Sequence, residues 1–283
     1  MTYREMLDMG EKFLGDADIT EARSNAWLLL AMTCRIDRSF YYLHMDGEVL
    51  PEQLSEYQSV LKKRAEHIPI QYITGETEFM GLKFKVNSNV LVPRQDTETL
   101  VEEVVKSARP GMKILDLCTG SGCIMVSIMH YVPKIFGFAA DISRQALNVA
   151  KENAKLNETP IHFEQSDLFD NIRGTFDIIV SNPPYIRSAD IPGLMPEVGQ
   201  FEPVEALDGK EDGLYFYRKI IEKSGSHLNP GGRIFFEIGY DQGADVCDLL
   251  LHAGYEEVKV VQDLAHLDRV VTGKLAGSCE RNE

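Results

Sequence analysis

The hydrophobic positions of this chain change their period part-way along it. Over the first seventy or so residues they recur at helical spacing. Met6, Met9 and Phe13 form one series, Ala22, Ala26, Leu29 and Leu30 a second, and Leu54, Tyr57 and Leu61 a third. Thr20 is expected to cap the second helix. Pro51 is expected to open the third, because a first-turn proline lacks only an amide hydrogen that the helix would leave unpaired. Beyond residue 74 the period becomes two. Leu82, Phe84 and Val86 alternate with Lys83 and Lys85, which predicts a strand, with Met80-Gly81 as a hairpin turn before it. Leu100, Val101, Val104 and Val105 then restore a helical stripe from about Thr97 to Ala108. Asp96 or Thr97 is its expected cap, and Pro110-Gly111 breaks it.

From Lys113 strands and helices alternate. The predicted strands are Lys113–Leu117, Ile135–Ala140 ending in Asp141, Ile161–Glu164, Phe176–Val180, and Arg233–Ile238 after a Pro230-Gly231-Gly232 turn. The predicted helices are Ile124–His130, Arg144–Leu156, Leu214–Leu228 and Ala244–Ala253. Val258–Val261 and Arg269–Thr272 suit an antiparallel pair at the end. This order predicts an α/β fold with a mostly parallel, doubly wound sheet. Three segments are expected: a helical domain over residues 1–73, a β-hairpin connector over 74–95, and an α/β domain over 96–283. In the first segment, Trp27 and the Phe40-Tyr41-Tyr42 cluster read as core or as partner-facing surface.

Composition narrows the class. The chain has 283 residues and a net charge of −15, with a pI near 4.9. An acidic surface disfavours naked nucleic acid as a partner. Cys34, Cys118, Cys123, Cys247 and Cys279 are scattered, with no C-x-x-C pair, so neither a disulfide framework nor a metal site is expected. No long apolar run or leader is evident, and a cytoplasmic, monomeric protein without a membrane segment is expected.

Candidate chemistry gathers at strand ends. The β-branched run Phe176–Val180 leads into Ser181-Asn182-Pro183-Pro184-Tyr185. Neither proline can extend a ladder, and each restricts the residue before it. A stiff loop results, at the carboxyl end of a strand, where open α/β sheets bind ligands. It offers an amide side chain, carbonyls and an aromatic ring, which suit a planar NH2 group. A strand-ending Asn-Pro turn accounts for it equally well by itself.

Three other strand ends suit a nucleoside. Asp116 closes one strand, and the turn Cys118-Thr119-Gly120-Ser121-Gly122 follows. Glycines there allow a ligand close to the backbone. Asp141, 21 residues after Gly120, can accept both ribose hydroxyls. Asp167-Leu168 would border an adenine. A dinucleotide fingerprint needs a small residue where the bulky Met125 stands. An adenosyl ligand without a pyrophosphate, S-adenosylmethionine, fits better.

Taken together, the Asp116–Gly122 turn and Asp141 resemble those of class I S-adenosylmethionine-dependent methyltransferases, with a Rossmann-like fold. Asn182-Pro183-Pro184-Tyr185 resembles the signature of enzymes that methylate NH2 nitrogens. Further motifs resemble the release factor glutamine methyltransferases of the PrmC/HemK type. They are Gln71-Tyr72-Ile73-Thr74-Gly75, Phe79-Met80-Gly81, Val92-Pro93-Arg94 with Thr97-Glu98, and Glu202-Pro203 with Asp212-Gly213-Leu214. Phe236-Glu237-Ile238-Gly239 and Asp263-Leu264-Ala265 with Asp268-Arg269-Val270 complete the set. Two positions depart from the family pattern. Cys118 stands where a glycine is usual, and Leu168 where an aromatic residue is usual.

The resemblance implies transfer of a methyl group to the glutamine nitrogen of a Gly-Gly-Gln motif in peptide chain release factors, a modification of the translation termination machinery, with S-adenosylhomocysteine as product. It implies that Asn182 and Pro183 accept the N–H groups of the reacting amide, with Tyr185 packed on the amide plane. Asp116, Cys118, Thr119, Gly120, Ser121, Gly122, Asp141, Asp167, Leu168 and Asn182 would hold the cofactor. Pro184, Arg94 and Glu202 would shape the substrate pocket, although a salt bridge of purely structural value suits Arg94 and Glu202 as well. The helical domain would dock the release factor. Three alternatives stand beside this reading: a ribosomal-protein glutamine methyltransferase, a nucleic-acid amino-methyltransferase, and a non-catalytic module that kept the fold.

Overall fold

The computed structural model describes residues 1–276; Cys279 lies outside them. The described chain divides into two compact units. One comprises Met1–Glu76 with Met195–Phe201, the other Thr77–Leu194 with the described residues from Glu202 onward.

The first unit is helical: α1 (Tyr3–Gly15), α2 (Ala22–Cys34), α3 (Arg38–His44), α4 (Pro51–Ala65) and α5 (Ile70–Thr74). Its core joins Met6 and Leu14 of α1, Ala26, Leu29 and Leu30 of α2, and Tyr57 and Leu61 of α4. The helical spacing selects all of these but Leu14; of its other positions Met9, Ala22 and Leu54 pack partly buried against this core, and Phe13 is exposed. Pro51 opens α4 as expected. Thr20 does not cap α2. Glu21 takes that place in a left-handed conformation without a side-chain cap. The segment 195–201 joins this unit through Glu197, whose carboxylate accepts from the buried Arg64 at 2.8 Å and lies 3.2 Å from the His67 ring. Nothing in the local pattern of residues 195–201 announces that pairing.

The second unit begins with the hairpin of β1 (Glu76–Phe79) and β2 (Leu82–Lys85), whose turn residues Met80 and Gly81 both have positive φ. The next helix, α6 (Asp96–Ser107), starts one residue earlier than expected. Gln95 is its cap, without a side-chain bond, and Asp96 falls within its first turn, where a carboxylate favours the helix dipole. Then follow β3 (Lys113–Leu117), α7 (Cys123–Tyr131), β4 (Phe136–Asp141), α8 (Arg144–Leu156), β5 (His162–Gln165) and β6 (Phe176–Ser181). After the four-residue α9 (Pro196–Gly199) come α10 (Tyr215–His227), β7 (Leu228–Glu237), α11 (Gly243–His252), β8 (Tyr255–Gln262) and β9 (Asp268–Leu275). Pro230-Gly231-Gly232 lies inside β7 rather than before it. Phe176 pairs with Leu228 but Ile178 with Arg233, so the Pro-Gly-Gly stretch bulges out of the ladder.

Among the described residues, β1 and β2 pair by themselves and the other seven strands form one sheet in the order β5-β4-β3-β6-β7-β9-β8. The first five are parallel, and β9 runs antiparallel to both of its neighbours. The central strands are buried on both faces, and their side chains alternate between two cores. Ile114, Ile178 and Val180 join the core with α6 and α7. Leu115, Leu117 and Ile179 join the core with α10 and α11. Chain order reverses between β3 and β6, which leaves a crevice at their carboxyl ends, the usual ligand position in such sheets.

Candidate active site

A cleft of about 530 Å³ opens at those carboxyl ends. The turn Cys118–Ser121, Asp141, Asp167, Leu168 and Asn182 all line it. The sheet thus brings together residues that stand up to 64 positions apart in the chain.

The turn after β3 is shaped by its own backbone. Cys118, Gly120 and Gly122 have φ of +59°, +54° and +81°, in the left-handed region where glycine is unstrained. Gly122 is also closely packed. A Cβ there would lie 3.0 Å from the Cβ of Ala150 in α8. Asp116 sits beneath the turn rather than in the cleft. Its Oδ2 accepts from the Thr119 hydroxyl at 2.5 Å, while its buried Oδ1 has no partner among the described residues. Burial pushes its carboxyl up to about 7, against the Thr119 bond. Met125, the residue that disfavoured a pyrophosphate, is fully buried. Its sulfur packs against Gly137 of β4, where a Cβ would meet it at 3.0 Å.

Asp141 ends β4 and binds the turn from the side. Its Oδ2 accepts from the Gly120 amide at 2.9 Å and its Oδ1 from the Ser143 amide at 2.9 Å. Burial raises its pKa, and these two bonds pull it down. A carboxylate oxygen that accepts one bond keeps a second lone pair, so both remain open to hydroxyl donors. Ile142, Leu168 and Phe216 add apolar surface to the same cleft. A carboxylate acceptor, a turn of small residues with two glycines and an apolar border fit an adenosyl group.

The loop after β6 supplies the other wall. Asn182 and Pro184 line the cleft. Pro183 is buried, and Tyr185 is half-buried against the α10 and α11 core. Burial drives the Tyr185 hydroxyl further above its ordinary range. The Tyr185 carbonyl accepts from Gln242 Nε2 at 3.0 Å. Gly209 and Gly213 let the loop before α10 press on its backbone, since a Cβ at Gly213 would stand 2.4 Å from the Tyr185 oxygen. Ser181 Oγ donates to the Leu117 carbonyl at 2.7 Å, tying the loop's root to β3.

Arg94 lines the cleft, whereas Glu202 lies behind it. One Arg94 nitrogen donates to both Glu202 oxygens, at 2.8 and 2.7 Å, and the Val92 amide donates to Oε1 at 3.3 Å. Burial raises the pKa of Glu202, and the Arg94 charge is the main opposing influence. The pair therefore brackets the segment before α6 as a salt bridge. Phe216, Gln242 and the glycines at 209 and 213 were not singled out as site residues by sequence reasoning. Only the Asp212-Gly213-Leu214 motif carried a signal for any of them.

This fold and this cleft define a class I methyltransferase. The solved structure of a methyltransferase from Pyrococcus furiosus shares the fold, with a TM-score of 0.52 over 69% of this chain and 90% of that one, at 20% identity. Residues 5–75 match the family model described as the PrmC N-terminal domain, and residues 93–193 that of the methyltransferase small domain. The release factor glutamine methyltransferase of Geobacter sulfurreducens is 37% identical over 275 residues, 97% of each chain. That of Clostridium acetobutylicum is 42% identical over 257 residues, 88% of this chain and 90% of the other. This chain belongs to the release factor glutamine methyltransferase family.

Proposed function

We propose that this protein transfers a methyl group from S-adenosylmethionine to the side-chain amide nitrogen of the glutamine in the Gly-Gly-Gln motif of peptide chain release factors, leaving S-adenosylhomocysteine. The observation that carries this reading is the placement of Asn182 and Asp141 on one cleft, in a chain near-full-length similar to enzymes of that name. When bound, the cofactor supplies an electrophilic methyl on a sulfonium. The Cys118–Gly122 turn, Asp141, Asp167 and Leu168 would hold it. An amide nitrogen is a weak nucleophile because its lone pair is delocalised into the carbonyl. The protein's contribution is therefore to orient it. Asn182 Oδ1 and the Pro183 carbonyl each accept one of its N–H groups, and both acceptors are fixed before the substrate arrives. The Tyr185 ring and Pro184 flank the amide plane. The amide exchanges one N–H for a methyl, and its proton leaves to solvent, so no strong base is required.

The helical domain, residues 1–73, would dock the release factor, with the enzyme acting as a cytoplasmic monomer. Arg4, Arg23, Arg38, Trp27, Tyr41 and Tyr42 border a cavity of about 470 Å³ there. Arg4 pairs with Asp46 and Arg23 with Glu11, while Arg38 lies over the Trp27 ring at 5.2 Å. Guanidinium and aromatic groups around one concavity suit side chains of a protein partner. Among the described residues no helix is long and apolar enough to cross a membrane.

Mass spectrometry after incubation with labelled cofactor tests the acceptor. A single methyl on a release-factor glutamine is expected. Methylation confined to a ribosomal-protein glutamine, or to nucleic-acid bases, would replace this substrate. For docking, Arg38→Ala with Trp27→Ala should raise KM for the full-length factor by about tenfold and leave a short Gly-Gly-Gln peptide unaffected. Equal loss on both substrates would remove the docking role.

A further inference from the structure

Phe236-Glu237-Ile238-Gly239 and Asp268-Arg269-Val270 meet directly behind the Asn182 loop. β6 and β7 are parallel, and Ser181 is in register with Phe236, so Asn182 and Glu237 follow side by side at the strand ends. On its other flank Glu237 pairs with Val270 of β9, and its carbonyl accepts from Tyr217 at 2.8 Å. Glu237 is only 2% exposed, and its Oε2 has no hydrogen-bond partner among the described residues. A buried carboxylate with one oxygen left unpaired is costly, and the groups that act on Glu237 include Asn182 of the adjoining loop besides Thr97 and Arg269.

We propose that Glu237 is a positioning residue for Asn182, its carboxylate receiving the Asn182 side-chain N–H and so fixing the amide with its oxygen toward the cleft. This role rests on the reading of Asn182 as acceptor for the substrate amide. An ionised carboxylate accepts hydrogen bonds and cannot donate them. A neighbouring asparagine must therefore turn its nitrogen toward it, which leaves Oδ1 for the incoming N–H. A flipped Asn182 would set NH2 against NH2 and repel the substrate. Protonated Glu237 carries an O–H that can donate to Oδ1 and so permits the flip.

The surroundings keep that proton in play near neutrality. Burial pushes Glu237 up to about 7, and hydrogen bonding from Thr97 and Asn182 with the Arg269 charge opposes the rise. The charged and titratable groups facing it come from five elements: Asp96 of α6, Arg269 of β9, Tyr185 of the loop, Tyr217 of α10 and Cys123 of α7. Arg269 is itself held by Asp263 at 3.1 Å and Asp96 at 3.2 Å. Burial raises both tyrosines above their ordinary range and Cys123 to about 12, which separates all three from Glu237. The sign follows. Glu237 is ionised above its pKa, so turnover rises with pH through that value and falls below it.

Glu237→Gln tests the role, since glutamine keeps the size but both donates and accepts. Its turnover should fall about tenfold at about pH 8, with the acid limb of the kcat profile lost and cofactor affinity by calorimetry within about twofold of wild type. In an Asn182→Ala background the same change should alter turnover by less than about twofold, because the two residues act as one unit. A readout independent of turnover is the 15N spectrum of the cofactor-free protein. The Asn182 side-chain NH2 signal, identified by its absence in Asn182→Ala, should shift with pH in wild type and stay fixed in Glu237→Gln. An unchanged kcat profile in Glu237→Gln, additive losses in the double variant, or loss of cofactor binding would overturn the positioning role. Normal turnover by Asn182→Ala would instead remove the acceptor assignment beneath it.

Discussion

The turn after β3 and the loop after β6 stand at adjacent strand ends, yet they are made rigid by opposite means. The turn is held by what lies next to it. Positive φ at Cys118, Gly120 and Gly122 bends it, and Asp141 on the neighbouring strand ties down the Gly120 amide. The loop is stiffened by two prolines and then braced from afar. Gln242 stands 57 residues from the Tyr185 carbonyl it bonds, Gly213 yields space to that carbonyl, and Glu237 lies in the next strand. A cofactor made of common parts can be held by a compact local device. A reacting amide demands orientation of a single side chain, and that needs support from several directions.

Three substitutions probe this contrast, in descending order of expected effect. Asn182→Ala should cut turnover by about 10²–10³-fold, the range for losing one preorganised polar contact to a reacting group. Cofactor affinity should be nearly untouched, so methyl transfer with labelled cofactor would collapse while calorimetry stayed normal. Loss of both together would erase the distinction between turn and loop. Asp141→Ala should do the reverse. It strips the acceptor for the Gly120 and Ser143 amides as well as for the cofactor, at about 1–3 kcal/mol. Calorimetry should then report a dissociation constant raised by roughly 5- to 150-fold. Turnover at saturating cofactor should change much less. The smallest effect belongs to Cys118→Gly. Relief of a left-handed conformation is worth about 1–2 kcal/mol, and glycine's extra freedom in the unfolded chain returns about 0.5–1 kcal/mol. A gain of between zero and about 1.5 kcal/mol in urea unfolding is expected. A net loss would mean that the Cys118 side chain supports the turn by packing.

The elements themselves were legible because their causes are local. The alternation of strand and helix, the burial of Phe176–Val180 on both faces and the hairpin turn at Met80-Gly81 follow from period, branching and turn chemistry within a few residues. Helix starts were less so. Thr20 and Asp96 had the right residue type for a cap, but the backbone entering each helix takes another path, and a cap requires an extended conformation at that residue. Arg94 and Glu202 carried a family signal, while their bidentate pairing depends on two segments 108 residues apart.

By itself the sequence determined the alternating fold, the glycine turn with Asp141, and the Asn182 loop, since each is encoded by spacing and stereochemistry within a short stretch. Only the tertiary structure decided that Asp116 lies beneath the turn instead of in the cleft, that segment 195–201 folds with the helical unit, and that Glu237 stands behind Asn182. Glu237 carried only a family signal, within Phe236-Glu237-Ile238-Gly239, and no role attached to it. Its burial, its neighbours and its raised pKa arise when β7 is placed between β6 and β9, an order that follows from packing two apolar faces of a whole sheet and from no pattern within β7 itself.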